Sequence, residues 1–179
     1  TFLMRVSVLD DLTGPVCDAV ASVSGSLMRL RRLSAGNQLI TCIPGSEVRY
    51  RLHQLFADFL RTELKVQSAQ DYTQTHARAA EWYADHDEHE QAVSHLRQAD
   101  DDVALGDFIW GQAWRLLSRG QVPVLRRWIA DIDDERIASH PGLSLSAVWI
   151  GIHGSDMAKV QRFAASARYL LDRGDATGN

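Results

Sequence analysis

Cysteine, lysine and long apolar runs are all scarce in this chain of 179 residues, and each scarcity excludes something. Two cysteines, Cys17 and Cys42, cannot make a disulfide framework, so reduced thiols and a cytoplasmic setting are expected. No run approaches the about 18 apolar residues of a membrane helix, and no membrane contact is expected. The start, Thr1-Phe2-Leu3-Met4-Arg5, lacks the charged stretch and cleavage site of a signal peptide. Lysine occurs only at Lys65 and Lys159, and 23 acidic residues bring the net charge to −4, which argues against a nucleic-acid scaffold but leaves room for a local basic patch. No glycine-rich run precedes Lys-Ser or Lys-Thr, so there is no phosphate-binding loop, and no Gly-x-Ser-x-Gly nucleophile elbow occurs. What remains is ordinary globular composition, 45% hydrophobic and 23% charged, in a chain long enough to bury a core without a metal.

The first third mixes helices with a hairpin. Phe2 to Leu9 has helical apolar spacing, and Asp11 to Ala21 predicts a second helix with Thr13 as cap and Pro15 in its first turn. Leu27, Leu30 and Leu33 line a third, stopped by Gly36-Asn37. Leu39–Ile43 and Val48–Leu52 then read as two strands split by Pro44-Gly45-Ser46-Glu47. The second alternates, with Val48, Tyr50 and Leu52 on one face and Arg49 and Arg51 on the other. Leu55, Phe56, Phe59, Leu60 and Leu64 predict an amphipathic helix after them. Helix, helix, two-stranded wing, helix is the order of a winged-helix domain.

From Gln70 onward the pattern is helical throughout. Six apolar faces succeed one another, separated at Asp85–Glu88, Gly120, Ser139–Gly142 and Gly154-Ser155, with Gly174 closing the sixth. Three antiparallel pairs with a period of roughly 30 to 40 residues suit a helical-repeat superhelix. The expected architecture is therefore mainly α: a winged-helix domain over 1–68, then antiparallel helix pairs of a tetratricopeptide-like superhelix over 69–179. Both edges read as the boundaries of a piece of something larger, and apolar surface where a next repeat would dock admits a homo-oligomer.

Several motifs have a plain reading beside a chemical one. The stretch His86-Asp87-Glu88-His89-Glu90 resembles a metal site, but Val93 stands where a zincin needs its second histidine, so a polar turn leading into a helix is expected, with His95 packing against a neighbouring repeat. Asp100-Asp101-Asp102 and Asp131-Ile132-Asp133-Asp134-Glu135 fall at helix boundaries and read as caps. Trp82, Trp110, Trp114, Trp128 and Trp149 read as inter-helix packing rather than a ligand groove. No catalytic or metal-ligating set emerges. Arg29, Arg31 and Arg32 sit where a winged helix carries its recognition helix, and Arg49 and Arg51 lie on the wing; these five are candidates for a DNA or interdomain contact. His53, between wing and helix, stands near the exposed amides of a helix N-terminus, where an anion would bind.

Five segments in order carry a resemblance: Phe2-Leu3-Met4-Arg5-Val6-Ser7-Val8-Leu9-Asp10 with Leu12–Val20, Tyr50-Arg51-Leu52-His53-Gln54-Leu55-Phe56, His76–Tyr83, Glu90–His95 and Leu125-Arg126-Arg127-Trp128-Ile129. Together they resemble the middle of large ATP-dependent LuxR-type transcriptional regulators of the maltose-regulon-activator type, within the signal-transduction ATPases with numerous domains. The resemblance implies a parent with an N-terminal nucleotide-binding domain, a winged helix, a superhelix and a C-terminal helix-turn-helix that binds DNA. It implies ATP or ADP for that parent and no cofactor in this piece, which should neither hydrolyse ATP nor bind a promoter alone. Expected partners are the parent's own nucleotide-binding domain and superhelix, with an effector ligand or protein partner on the latter. In related switch ATPases a histidine in a Met-His-Asp motif contacts the β-phosphate of ADP; Leu52-His53-Gln54 holds the comparable place and departs from the motif at both flanks. The function implied is a non-catalytic relay of nucleotide state. The alternatives are the same module as a regulatory segment of a serine/threonine protein kinase, and a winged helix that binds DNA directly.

Overall fold

The alternation over residues 48–52 does produce a strand. In the computed structural model, which describes residues 1–36, 38–45 and 48–177, β1 (Ile40–Ile43) pairs antiparallel with β2 (Arg49–Leu52), Ile40 opposite Leu52 and Cys42 opposite Tyr50. Tyr50 and Leu52 are buried and Arg49 and Arg51 exposed, as a period of two requires. On its other edge β2 meets Leu12: the Leu12 amide donates to the Tyr50 carbonyl at 2.8 Å and the Tyr50 amide returns the bond at 2.9 Å. That bridge corrects the expected helix over 11–21. Leu12 lies in a β-bridge and Asp11 in a bend, and α2 is Gly14–Ala21 after α1 (Phe2–Val6). Thr13 occupies the N-cap position with extended backbone, but its side chain makes no capping bond; Pro15 falls in the first turn. α3 (Ser26–Gly36) precedes the hairpin and α4 (Gln54–Gln67) follows it. Asn37, Ser46 and Glu47, parts of the expected helix stop and hairpin turn, lie outside the described residues.

α5 (Ala69–Asp85) and α6 (His89–Gln98) form an antiparallel pair that packs through α5 onto α2 and α4. The expected boundary after residue 68 lies at the α4–α5 junction, where the Ser68 hydroxyl accepts the Asp71 amide at 3.0 Å and caps α5. The first compact unit runs on to Asp100. Its core joins Val6, Leu9, Leu12, Val16, Val20 and Leu30 to Leu60, Leu64, Ala79 and Ala80, all buried.

The second unit, Asp101–Asn179, comprises α7 (Asp102–Ser118), α8 (Val122–Ile129), α9 (Asp134–Ser139), α10 (Pro141–His153) and α11 (Met157–Thr177). α7 packs on α8 and α10, and α10 on α11. Leu105, Ile109, Leu125, Leu143 and Phe163 are its largest fully buried side chains, each worth about 1.5–3 kcal/mol of burial. Carboxylates cap as expected: Asp101 Oδ1 accepts the Ala104 amide at 2.9 Å and Asp133 Oδ1 the Arg136 amide at 2.8 Å. Asp133, however, starts a helix of its own, α9, which the apolar spacing does not reveal because only Ile137 of its six residues is buried. Gly174 closes nothing. α11 continues through it, since one glycine costs a helix only about 1 kcal/mol. Among the described residues no helix is long and apolar enough to cross a membrane.

Candidate functional site

α4 brings together the features that bear on function. Its N-cap is His53, whose backbone amide donates to the Leu39 carbonyl at 2.8 Å and whose carbonyl accepts from Phe56 and Ala57 at 2.9 Å each. The imidazole is exposed and has no hydrogen-bond partner among the described residues. It is thus held in place by its backbone and left free at its side chain, beside first-turn amides that lack intrahelical acceptors. That arrangement suits a contact with an anion. Ala57, Leu60 and Leu64 bury one face of α4. Leu55 and Phe59, which the amphipathic reading groups with Leu60 and Leu64, are 74% and 60% exposed and lie on the opposite face with Val66.

The five candidate arginines do not converge. Asp11 Oδ1 accepts from Arg51 Nε at 3.1 Å and from its terminal nitrogen at 2.6 Å, and Asp11 Oδ2 lies 3.5 Å from Arg49. The wing's cations are therefore committed to a carboxylate of the same unit. Arg29 lies over the Phe2 ring at 5.5 Å, leaving Arg31 and Arg32 on the exposed side of α3 with no ion pair among the described residues.

A second set of arginines, not anticipated from the sequence, ties α1, α2, α4 and α5 together. Arg5 Nε donates to Asp71 Oδ2 at 3.0 Å and its terminal nitrogen to the Ala21 carbonyl at 3.3 Å. Arg78 Nε donates to the Val20 carbonyl at 3.0 Å, and its terminal nitrogen lies 3.8 Å from Asp71 Oδ1. Two guanidiniums thus satisfy the last carbonyls of α2, the negative end of that helix, while one carboxylate at the start of α5 holds both. Arg61 of α4 donates to the Ser7 carbonyl at 2.5 Å and to Asp58 at 3.2 Å. An arginine amid the apolar spacing of α1 was the one available signal: a cation so placed needs a partner.

The same unit holds a buried histidine pair. His76 Nδ1 of α5 and His95 Nδ1 of α6 lie 2.9 Å apart, and both rings are buried. His95 stacks on Tyr83 at 5.4 Å, so it packs against α5 of its own pair rather than a neighbouring repeat. Such a contact needs one donor and one acceptor, so the accepting ring is neutral, and burial favours the neutral form of both. His76 Nε2 is buried without a partner; because an orphaned acceptor is tolerated better than an orphaned N–H, His76 donates from Nδ1 and His95 carries its proton on Nε2. Burial, then the second ring, then Arg61 pull His76 down to about 3. Burial pulls His95 down to about 4, with Asp10 opposing and Arg61 assisting. His95 lines a cleft of about 550 Å³ with Asp11, Arg49, Trp82, Tyr83 and Glu88. Burial, then Glu88, Asp10 and Asp11, push the Tyr83 hydroxyl up to about 12.

The remaining candidates stand apart. His86 stacks on Trp82 at 3.9 Å and its Nδ1 lies 2.7 Å from the Trp82 carbonyl; His89 lies 3.6 Å from Asp87. Of the five tryptophans Trp128 is buried and packs on Phe108 of α7 at 6.3 Å, as inter-helix packing requires, whereas Trp110 and Trp114 are 39% and 74% exposed, which corrects that expectation for these two. Burial, then Asp18, push the Cys17 thiol up to about 12, whereas Cys42 is exposed.

Residues 1–72 match the family model described as the MalT winged helix domain. The HTH-type transcriptional regulator MalT of Vibrio campbellii is 26% identical over 149 residues, 83% of this chain and 16% of that protein. MalT of Vibrio cholerae is 24% identical over the same length and shares. The serine/threonine-protein kinase PknK of Mycobacterium tuberculosis is 23% identical over 151 residues, 84% of this chain and 14% of the kinase. The chain thus spans under a fifth of the length of each of these relatives. The hairpin, the Leu12 bridge and the flanking helices are the parts a winged helix requires, and they fall within residues 1–72, which match the MalT winged helix domain model, while the likeness to MalT regulators runs on over 149 residues in all.

Proposed function

We propose that the chain is a non-catalytic relay within a MalT-like, ATP-dependent transcriptional regulator: its winged helix senses the nucleotide state of a nucleotide-binding domain, and its helix pairs, as the start of a tetratricopeptide-like superhelix, pass that state to a surface for an effector or protein partner. DNA would be bound by another part of the parent. The observation that carries this reading is the Arg5–Asp71–Arg78 clamp. Through it the last carbonyls of α2 and the Asp71 carboxylate in the first turn of α5 are held by the same two guanidiniums, so a displacement of the winged helix is passed to the first helix pair rather than absorbed at the α4–α5 junction. His53 supplies the sensing end. Its free imidazole at the start of α4 suits a phosphate oxygen of ADP presented by a neighbouring domain, a contact made in one nucleotide state and lost in the other, as a switch requires.

Two variants of the full-length regulator separate these roles. His53→Ala weakens ADP retention and raises basal transcription. Asp71→Asn leaves ADP affinity unchanged and lowers the difference in transcription between nucleotide states. Unchanged ADP affinity in the first removes His53 from the mechanism, and a wild-type response in the second removes the clamp. The likeness to PknK supports a second reading, in which the same relay serves a protein kinase. Expression of the longer polypeptide and assay for protein phosphorylation against promoter activation distinguishes the two.

A further inference from the structure

α4 is apolar on two opposite faces. Leu60 and Leu64 enter the core, while Leu55, Phe59 and Val66, at 74%, 60% and 77% exposure, form a second stripe on the far side with Thr62 between Phe59 and Val66. The steps from 55 to 59, 62 and 66 are four, three and four residues, the spacing of a coiled-coil seam. The stripe is also self-complementary. Run antiparallel against itself about its centre, Leu55 meets Val66 of a second chain and Phe59 meets Thr62. Asp58 and Lys65 share one flank of the seam, so each Asp58 approaches the other chain's Lys65, twice over. Both are exposed: Asp58 holds Arg61 at 3.2 Å, and Lys65 lies over the Tyr72 ring at 5.5 Å, contacts that leave room for a second partner. No like charges meet along that flank.

We propose that this face of α4 is a docking surface for a second copy of the same chain, two α4 helices pairing antiparallel about a two-fold axis. Three side chains supply well under the about 800 Å² per partner of a stable dimer, and Thr62 puts a hydroxyl in the seam, so the association is weak and reversible, with a dissociation constant on the order of 10 μM to 1 mM. The surface differs from the helix-pair end where a further repeat would dock, and it does not depend on the relay proposed above.

Sedimentation velocity of the 179-residue chain over a concentration series tests it. The wild type should show a sedimentation coefficient that rises with concentration. Phe59→Asp, at an exposed position that leaves circular dichroism and melting temperature unchanged, should abolish the rise. Asp58→Lys should weaken association about tenfold by placing cations opposite one another, and Asp58→Lys with Lys65→Asp should restore it. A wild type that remains monomeric to about 1 mM overturns the proposal and gives the face to another part of a longer polypeptide. Association insensitive to Phe59→Asp overturns it by placing the contact elsewhere. Failure of the double exchange to restore association overturns the antiparallel pairing of like copies.

Discussion

Asp71→Asn removes one charge and almost no volume from the clamp, which isolates its electrostatic part. The Asp71 side chain is 22% exposed, and those of Arg5 and Arg78 are 29% and 28% exposed, so screening is partial. A hydrogen bond to an ionised group contributes about 1.5–3 kcal/mol; asparagine can still accept from Arg5 Nε at 3.0 Å, which retains about 1 kcal/mol of it. The Arg78 contact at 3.8 Å contributes up to about 1 kcal/mol as a part-exposed pair. A carboxylate in the first turn of α5 adds about 0.3–1 kcal/mol. With two guanidiniums left without their counter-charge, the sum is about 2 kcal/mol. For a cooperative unit of this size that lowers the melting temperature by about 8–16 °C. Differential scanning calorimetry reads the loss, with Asp10→Asn, an exposed carboxylate whose ion pair with Arg61 spans 3.6 Å, as a control expected to stay within about 0.5 kcal/mol. A loss for Asp71→Asn no greater than that of Asp10→Asn would refute the clamp as a stabilising link.

Three further outcomes are expected. His76 and His95 are neutral when folded, down to about 3 and about 4, but take up protons near 6.5 when unfolded; the unfolded state therefore binds more protons in between, and stability falls as pH drops from about 6.5 toward 4, at up to about 1.4 kcal/mol per pH unit for each ring. Urea titrations at three pH values check this, and a flat profile between pH 7 and 5 contradicts it. A methyl group on Gly106 would overlap the His140 ring, whose Nδ1 accepts from the Gly142 and Leu143 amides at 3.1 and 3.4 Å, so Gly106→Ala should destabilise by about 2–3 kcal/mol. Gly111→Ala, in open space on the same helix, should stabilise by about 0.5–1 kcal/mol; equal effects of the two in thermal melts would contradict the packing. Finally, a thiol reagent should label exposed Cys42 in the native protein and buried Cys17 only on unfolding, as mass spectrometry after brief alkylation would show.

Local patterns carried most of the secondary structure and little of what joins it. The alternation of Val48 to Leu52 revealed a strand because period two is a property of neighbouring residues, and Pro15, Asp101 and Asp133 marked helix starts because a cap needs only the next turn. The Leu12–Tyr50 bridge was invisible for the opposite reason: its two residues are far apart in sequence, and Leu12 also fits a helical apolar pattern. Leu55 and Phe59 fall into one apolar pattern with Leu60 and Leu64 because hydrophobicity says that a side chain seeks cover, not which surface supplies it. His53 was legible as a helix-start histidine, and its exposure agrees with an external contact. The Arg5–Asp71–Arg78 clamp and the His76–His95 pair were not legible, since ion pairs and buried polar contacts leave no periodic trace.

Coupling of the winged helix to the first helix pair is best tested by native-state hydrogen exchange of the 179-residue chain at increasing sub-denaturing urea. If residues 1–100 open as one cooperative unit, the core amides of α2, β2, α4 and α5 exchange with the same free energy and the same urea dependence. Exchange of α5 and α6 through an opening that leaves α2 and the hairpin protected would show that the winged helix and the helix pair move independently, and the relay would have no mechanical basis.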